Sequence, residues 1–207
     1  EIYTLSLHDA LPISSALLTA RAGWNPLLTI AFGGLFAGAV AFLLGFAVLR
    51  LRKIYFSITT LALTTVFSVI IRNLPKLTGG ASGTVLRNAL FDGDPAKNYW
   101  MIFGLTLAVI GVSVWLTKSK THYAINAIRN DEITARSSGV DVFRYLLFIF
   151  VLTSTLQGII GAFYAQQYAF VQPEATFSMN FLLLPLAMAL VGGVYSTIGP
   201  VVGAVLL

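Results

Sequence analysis

Side chains able to carry covalent or metal chemistry are scarce in this 207-residue sequence. Cys is absent, which removes a thiolate nucleophile, a thiolate metal site and a disulfide framework together. His122 stands alone among scattered carboxylates, so no metal set is expected, and His8 belongs to an N-terminal stretch treated below. No G-x-x-x-x-G-K-[ST] run occurs, so the chain has no P-loop for ATP. The run GGASG at 79–83 has the composition of an anion-binding nest, but the same residues make a flexible turn, which is the plainer reading. The expectation is therefore no catalytic residue, no cofactor, no metal, and no enzyme activity in this chain.

Two groups of residues can do non-covalent work. The first lies in the stretch 117–144. AINAIR at 124–129 reads as a short helix, and Asn130 is expected to cap a second one. Asp131 and Glu132 would then sit in the first turn, where carboxylates meet the positive end of the helix dipole. Gly139 before Val140 reads as the stop of that helix. A connector this long with helices of its own is usually functional, which points to a docking role over that of a solvated linker. The second group is polar and uncharged inside apolar segments: Thr59, Thr60, Thr64, Thr65, Ser154, Thr155, Gln157 and Asn180. Such groups either join helices, at about 0.6 kcal/mol each, or line a polar path. Thr59, Thr60, Thr64, Gln157 and Asn180 are the candidates for a path.

The elements that must hold these residues are membrane spans. The chain is 57% hydrophobic and only 10% charged, with a mean hydropathy of +0.84. A soluble domain carries about 25% charged residues, so lipid has to be the solvent. Apolar segments at 24–49, 54–71, 99–116, 145–170 and 180 onward predict an all-α integral membrane protein, a bundle of about five transmembrane helices. The 54–71 segment is short, about 27 Å as a helix. The fifth is interrupted by Gly192-Gly193 and Gly199-Pro200, and Gly199 with Gly203 forms a G-x-x-x-G suited to close helix packing. Trp24, Trp100 and Trp115 lie near span ends, where amphipathic rings favour the interface. None of the five spans contains an Asp, Glu, Lys, Arg or His, which argues against a proton relay.

The net charge of +5 is distributed around the spans, so it reads as membrane orientation and not as nucleic-acid binding. Of the 13 Lys and Arg, one side would carry Arg50, Arg52, Lys53, Lys118, Lys120, Arg129, Arg136 and Arg144. The other would carry Arg21, Arg72, Lys76, Arg87 and Lys97. The tight LRLRK turn concentrates the excess, which places 117–144 in the cytoplasm.

Residues 1–14 are expected to be foreign to the fold. YTLSLHDALPI at 3–13 resembles the translation of a sequencing-library adapter, codon for codon, and Ser14 continues it. It has neither the basic start nor the continuous apolar core of a signal peptide. On this reading the natural chain begins upstream of Ser15, and the apolar run at 201–207 is cut as well. Resequencing the source locus tests it: adapter codons in genomic continuity would refute the reading.

Four stretches together carry a resemblance: LRLRKIYFSITTLAL at 49–63, LTGGASG at 77–83, AINAIRNDEITARSSGVDVFRYL at 124–146 and VGGVYSTIGPVVGAVL at 191–206. The chain resembles the membrane-spanning permease subunits of ABC importers for branched-chain amino acids, and 15–207 would be a partial permease domain of that kind. The resemblance implies a multi-pass protein of the bacterial inner membrane. It also implies a second permease subunit, two cytoplasmic ATPase subunits that hydrolyse ATP, and a periplasmic substrate-binding protein. Within 124–142 it implies a coupling helix docking on an ATPase, with Ile128, Arg129, Asp131, Glu132, Ala135 and Gly139 in the coupling loop. The general motif there is E-A-A-x-x-x-G; this sequence keeps Ala135 and Gly139 and has Glu132 one position early. Where the family often has an acidic residue, eight positions before Gly192, stands Leu184, followed by Pro185. The alternatives are a permease for urea, short amides or another amino acid, or a stand-alone channel for a small polar solute. A facilitator would have no need of a docking helix.

Overall fold

In the computed structural model the described residues are 26–51, 53–74, 84–85, 94–168, 170–171, 179–193, 196 and 198–207. The expected adapter stretch and the GGASG run lie outside them. The described helices are α1 (Pro26–Val48), α2 (Lys53–Arg72), α3 (Pro95–Lys118), α4 (Lys120–Asn130), α5 (Glu132–Ser137), α6 (Val142–Tyr168), α7 (Met179–Gly192) and α8 (Gly199–Leu206). Two-residue strands β1 (Thr84–Val85) and β2 (Phe170–Val171) pair antiparallel, Thr84 opposite Val171. The fold is an all-α membrane protein, with one small ladder among the described residues. Among the described residues three helices are long and apolar enough to cross a membrane, within α1, α3 and α6. Shorter apolar stretches occupy Ile58–Arg72 and Leu183–Gly192.

The main packing unit is α1 against α6. The two run antiparallel along their whole length, from Thr29 beside Gln166 at one end to Phe46 beside Phe143 at the other. The buried face of α1 is made of small residues, among them Gly34, Ala37, Gly38, Ala41 and Gly45. Leu35, Phe36, Phe42 and Leu43 point outward. This inverts the pattern of a water-soluble helix. Lipid solvates Leu and Phe as well as a protein interior does, so backbone approach, not side-chain hydrophobicity, selects the contact face. On α6 the facing ridge is Phe150, Ser154, Gly158, Ala162 and Gln166, one residue per turn. A Cβ on Gly158 would overlap that of Ala37, and one on Gly38 would overlap the Thr155 hydroxyl.

The basic ends gather at one end of this pair. The Arg50 guanidinium lies 4.3 Å from the Phe46 ring centroid and 5.9 Å from that of Phe143, and the two rings meet edge to face at 5.6 Å. A cation over an aromatic face contributes about 0.5–1 kcal/mol at an exposed site. Helix α2 adds Phe56, Leu63 and Phe67 around Ala41 and Phe150, with Thr60 buried. Helix α3 touches the bundle through Met101, which packs on Ile30, Ala162 and Phe163, while its central apolar window stays unburied.

The structure adjusts several boundaries. Helix α3 begins at Pro95 and not at Tyr99. The Asp94 carboxylate accepts from the Ala96 N–H at 3.1 Å and Pro95 takes the first helical position, where a missing N–H costs nothing. The fifth apolar segment is two helices. Gly193 at φ +100° ends α7, and α8 folds back antiparallel on it, Gly203 against Met188 and Gly199 against Gly192. At 14 residues α7 reaches about 21 Å, short of a hydrocarbon core of about 30 Å. The G-x-x-x-G does serve close packing, because Cβ atoms at Gly192, Gly199 or Gly203 would enter the opposing backbone.

Candidate functional site

The stretch between the spans within α3 and α6 folds as two short helices. Helix α4 is longer than expected, starting directly after Ser119. Its amphipathic face presents Ala124 and Ile128 inward. The second helix, α5, is capped by Asp131 and not by Asn130, which is the last residue of α4. The reason is backbone geometry: Asp131 is extended (φ −155°, ψ 114°) and its carboxylate accepts from the Ile133 N–H at 3.0 Å. The other carboxylate oxygen accepts from the Thr134 hydroxyl. Glu132, in the first turn, pairs with Arg136 at 2.7 Å across one turn.

Helix α5 ends at Ser137 and is closed by Gly139 after the Ser138 cap, as the position of Gly139 before Val140 predicts. Gly139 has φ +84°, its N–H donates to Arg136 O, and the Val140 N–H donates to Ala135 O, both at 3.1 Å. This is a complete Schellman closure, which needs a left-handed residue at that position. The unit is seated on α6 by a small core of Ile128, Ala135 and Val142, flanked by Ala127, Val140, Tyr145 and Leu146. The two motif residues retained here thus have separate physical demands. Ala135 is 3% exposed and must be small, and Gly139 must adopt positive φ. Beside them an open hollow of about 420 Å³ is lined by Arg136, Gly139, Val140, Asp141, Val142 and Phe143.

A family model described as branched-chain amino acid transport system / permease component matches residues 12–207. The chain belongs to that family. It is 29% identical over 221 aligned positions to the high-affinity branched-chain amino acid transport system permease protein LivM of Escherichia coli (strain K12), covering 93% of this chain and 52% of that protein. The LivM of Salmonella typhimurium (strain LT2) matches with the same identity and coverage. The chain spans about half the length of these curated relatives. No solved structure matches it significantly.

The candidate coupling-loop residues divide by burial. Ile128 and Ala135 lie inside and hold the helix pair to α6, while Arg129, Asp131 and Gly139 are exposed and Glu132 is half-buried. The outward surface is made by residues the sequence reading passed over. Ile133 is 79% exposed and Tyr123 73% exposed. An apolar residue off the buried face of a charged amphipathic loop was the available signal. Among the described residues the path candidates lie on two helices, α2 and α6. Thr60 is buried against the α1–α6 pair, Thr59 and Thr64 are half-buried on α2, and Gln157 is half-buried on α6. The Thr64 hydroxyl donates back to Thr60 O at 2.9 Å, and Ser154 and Thr155 donate to Phe150 O and Val151 O on their own helix. Such back-bonding satisfies a hydroxyl without a partner helix. The Asn180 side chain lies outside the described residues. A polar contact that the sequence did not single out does join helices: Gln166, 1% exposed, donates to the Thr29 hydroxyl at 2.7 Å. Among the described residues no metal-holding cluster exists, and His122 meets Asn126 along α4 at 2.9 Å.

Proposed function

We propose that this chain is a transmembrane permease subunit of an ATP-driven importer of the bacterial inner membrane, forming part of the translocation path for branched-chain amino acids. It works with a second permease subunit, a periplasmic substrate-binding protein and two cytoplasmic ATPase subunits that hydrolyse the ATP. The observation that carries the reading is the α4–α5 pair. It is a capped, Schellman-closed unit packed on the first turn of α6, with Ile133 and Arg136 facing outward. A stand-alone facilitator has no use for a rigid docking unit at the mouth of a span. Family membership and the likeness to LivM support the substrate class.

The test is reconstitution of the full-length protein with its partner subunits in proteoliposomes. Uptake of labelled leucine should require ATP and the binding protein, and an Ile133→Asp variant should lose co-purification of the ATPase. In intact cells, cysteine at Ser137 should react with an impermeant thiol reagent only after the membrane is opened, and cysteine at Lys97 before it. ATP-independent uptake would sink the importer reading, and preferential competition by urea or acetamide over leucine would reassign the substrate.

A further inference from the structure

We infer that α1 and α6 act as one rigid lever whose two helices do not move against each other during transport, with the α4–α5 pair fastened to its basic end. The inference rests on the importer reading for the source of motion, and on three separate contacts for the rigidity. The seam between the helices is at backbone contact, since Cβ atoms on Gly34, Gly38 or Gly158 would overlap side chains of the opposing helix. Sliding or rotation would carry larger residues into that seam, because packed interfaces of this density are not continuously deformable. At one end Gln166 and Thr29, both essentially inaccessible, lock the register by a side-chain hydrogen bond of 2.7 Å. At the other end Arg50 spans the Phe46 and Phe143 rings. Val142, next to Phe143, belongs to the core that seats α4 and α5. A displacement of the docking unit therefore reaches α6 at its first turn and takes α1 with it. Helix α3 is joined to the same unit in sequence but packs little on the lever, so relative motion falls between α3 and the α1–α6 pair.

The geometry offers a direct test. A Cβ built on Gly38 falls 3.7 Å from that of Thr155, within the range of about 3.5–4.5 Å that a disulfide requires. Replacing Thr155 with Cys also removes the hydroxyl that a Gly38 side chain would strike. Residues 1–207 contain no Cys, and any cysteine elsewhere in the full-length transporter is replaced by Ser for the test. The full-length transporter carrying Gly38→Cys and Thr155→Cys should form the cross-link on oxidation and keep ATP-dependent uptake within about twofold of the reduced form. Uptake lost on oxidation and recovered on reduction would overturn the inference while leaving the importer reading intact. ATP-independent uptake in the reduced form would instead overturn the importer reading. Should the double variant not assemble, spin labels on the exposed positions Leu43 and Phe148 report the same property. Their distance distribution should be unchanged between resting and nucleotide-trapped states, and a shift of several ångströms would refute the rigid pair.

Discussion

Replacing Gly139 with Val is expected to abolish substrate-stimulated ATP hydrolysis and uptake while leaving membrane insertion normal. At φ +84° the backbone sits where a β-branched residue meets the left-handed penalty of about 1–2 kcal/mol. Relieving that strain breaks the Gly139 and Val140 hydrogen bonds that close α5, and with them the placement of Ala135 against Ile128 and Val142. A penalty of this size shifts the local equilibrium by a factor of about 5–30, enough to depopulate the docked form. Insertion depends on the apolar spans, so the protein level in the membrane should not change. Gly139→Asn is the conservative partner, because Asn tolerates the left-handed region, and it should retain most of the coupling. Uptake and ATPase activity of the reconstituted complex decide the matter: wild-type values for the Val variant would mean that the loop is only a connector.

Adding a single methyl group at Gly203 is expected to lower the stability of the permease more than any comparable change on α3. The Cβ of Gly203→Ala would fall inside the Met188 carbonyl oxygen. That atom is main chain and cannot swing aside, so α8 must lift off α7. Overpacking of this kind costs about 1–3 kcal/mol. The control is Gly104→Ala on α3, where a Cβ meets nothing within 4 Å. There the change should be neutral or stabilising, since Ala exceeds Gly in helix propensity by up to about 1 kcal/mol. Thermal unfolding of both variants in the same detergent measures the contrast. Equal midpoints would show that the α7–α8 contact is looser than the structure gives.

The membrane class, the position of the long spans and the helical punctuation of 117–144 were all legible from residue types. Long uncharged runs can only be solvated by lipid, and Gly139 before Val140 marks a stop through a local backbone requirement. The N-cap was misassigned by one position because Asn130 and Asp131 are both competent caps. The choice depends on which of them is extended, and here Asn130 is the last helical residue of α4 while Asp131 is extended. The start of α3 was readable from Asp94-Pro95, where capping chemistry outweighs the drop in hydropathy.

Local chemistry and the solvent decide which segments are apolar, where helices start and stop, and which ends are basic, and residue types carry all three. The contact faces came only from the tertiary structure. Helix α1 is apolar all round, so hydrophobicity distinguishes no side of it, and its small residues become informative only when Gly158 and Ala162 are found opposite them. Likewise Gln166 reads as an isolated polar residue in an apolar run until the antiparallel register brings it to Thr29, 137 positions away in the chain. The apolar segment after residue 180 is long enough in sequence to cross a bilayer. Whether it crosses or doubles back depends on backbone-to-backbone contacts between Met188, Gly192, Gly199 and Gly203, and these exist only once α8 has folded onto α7.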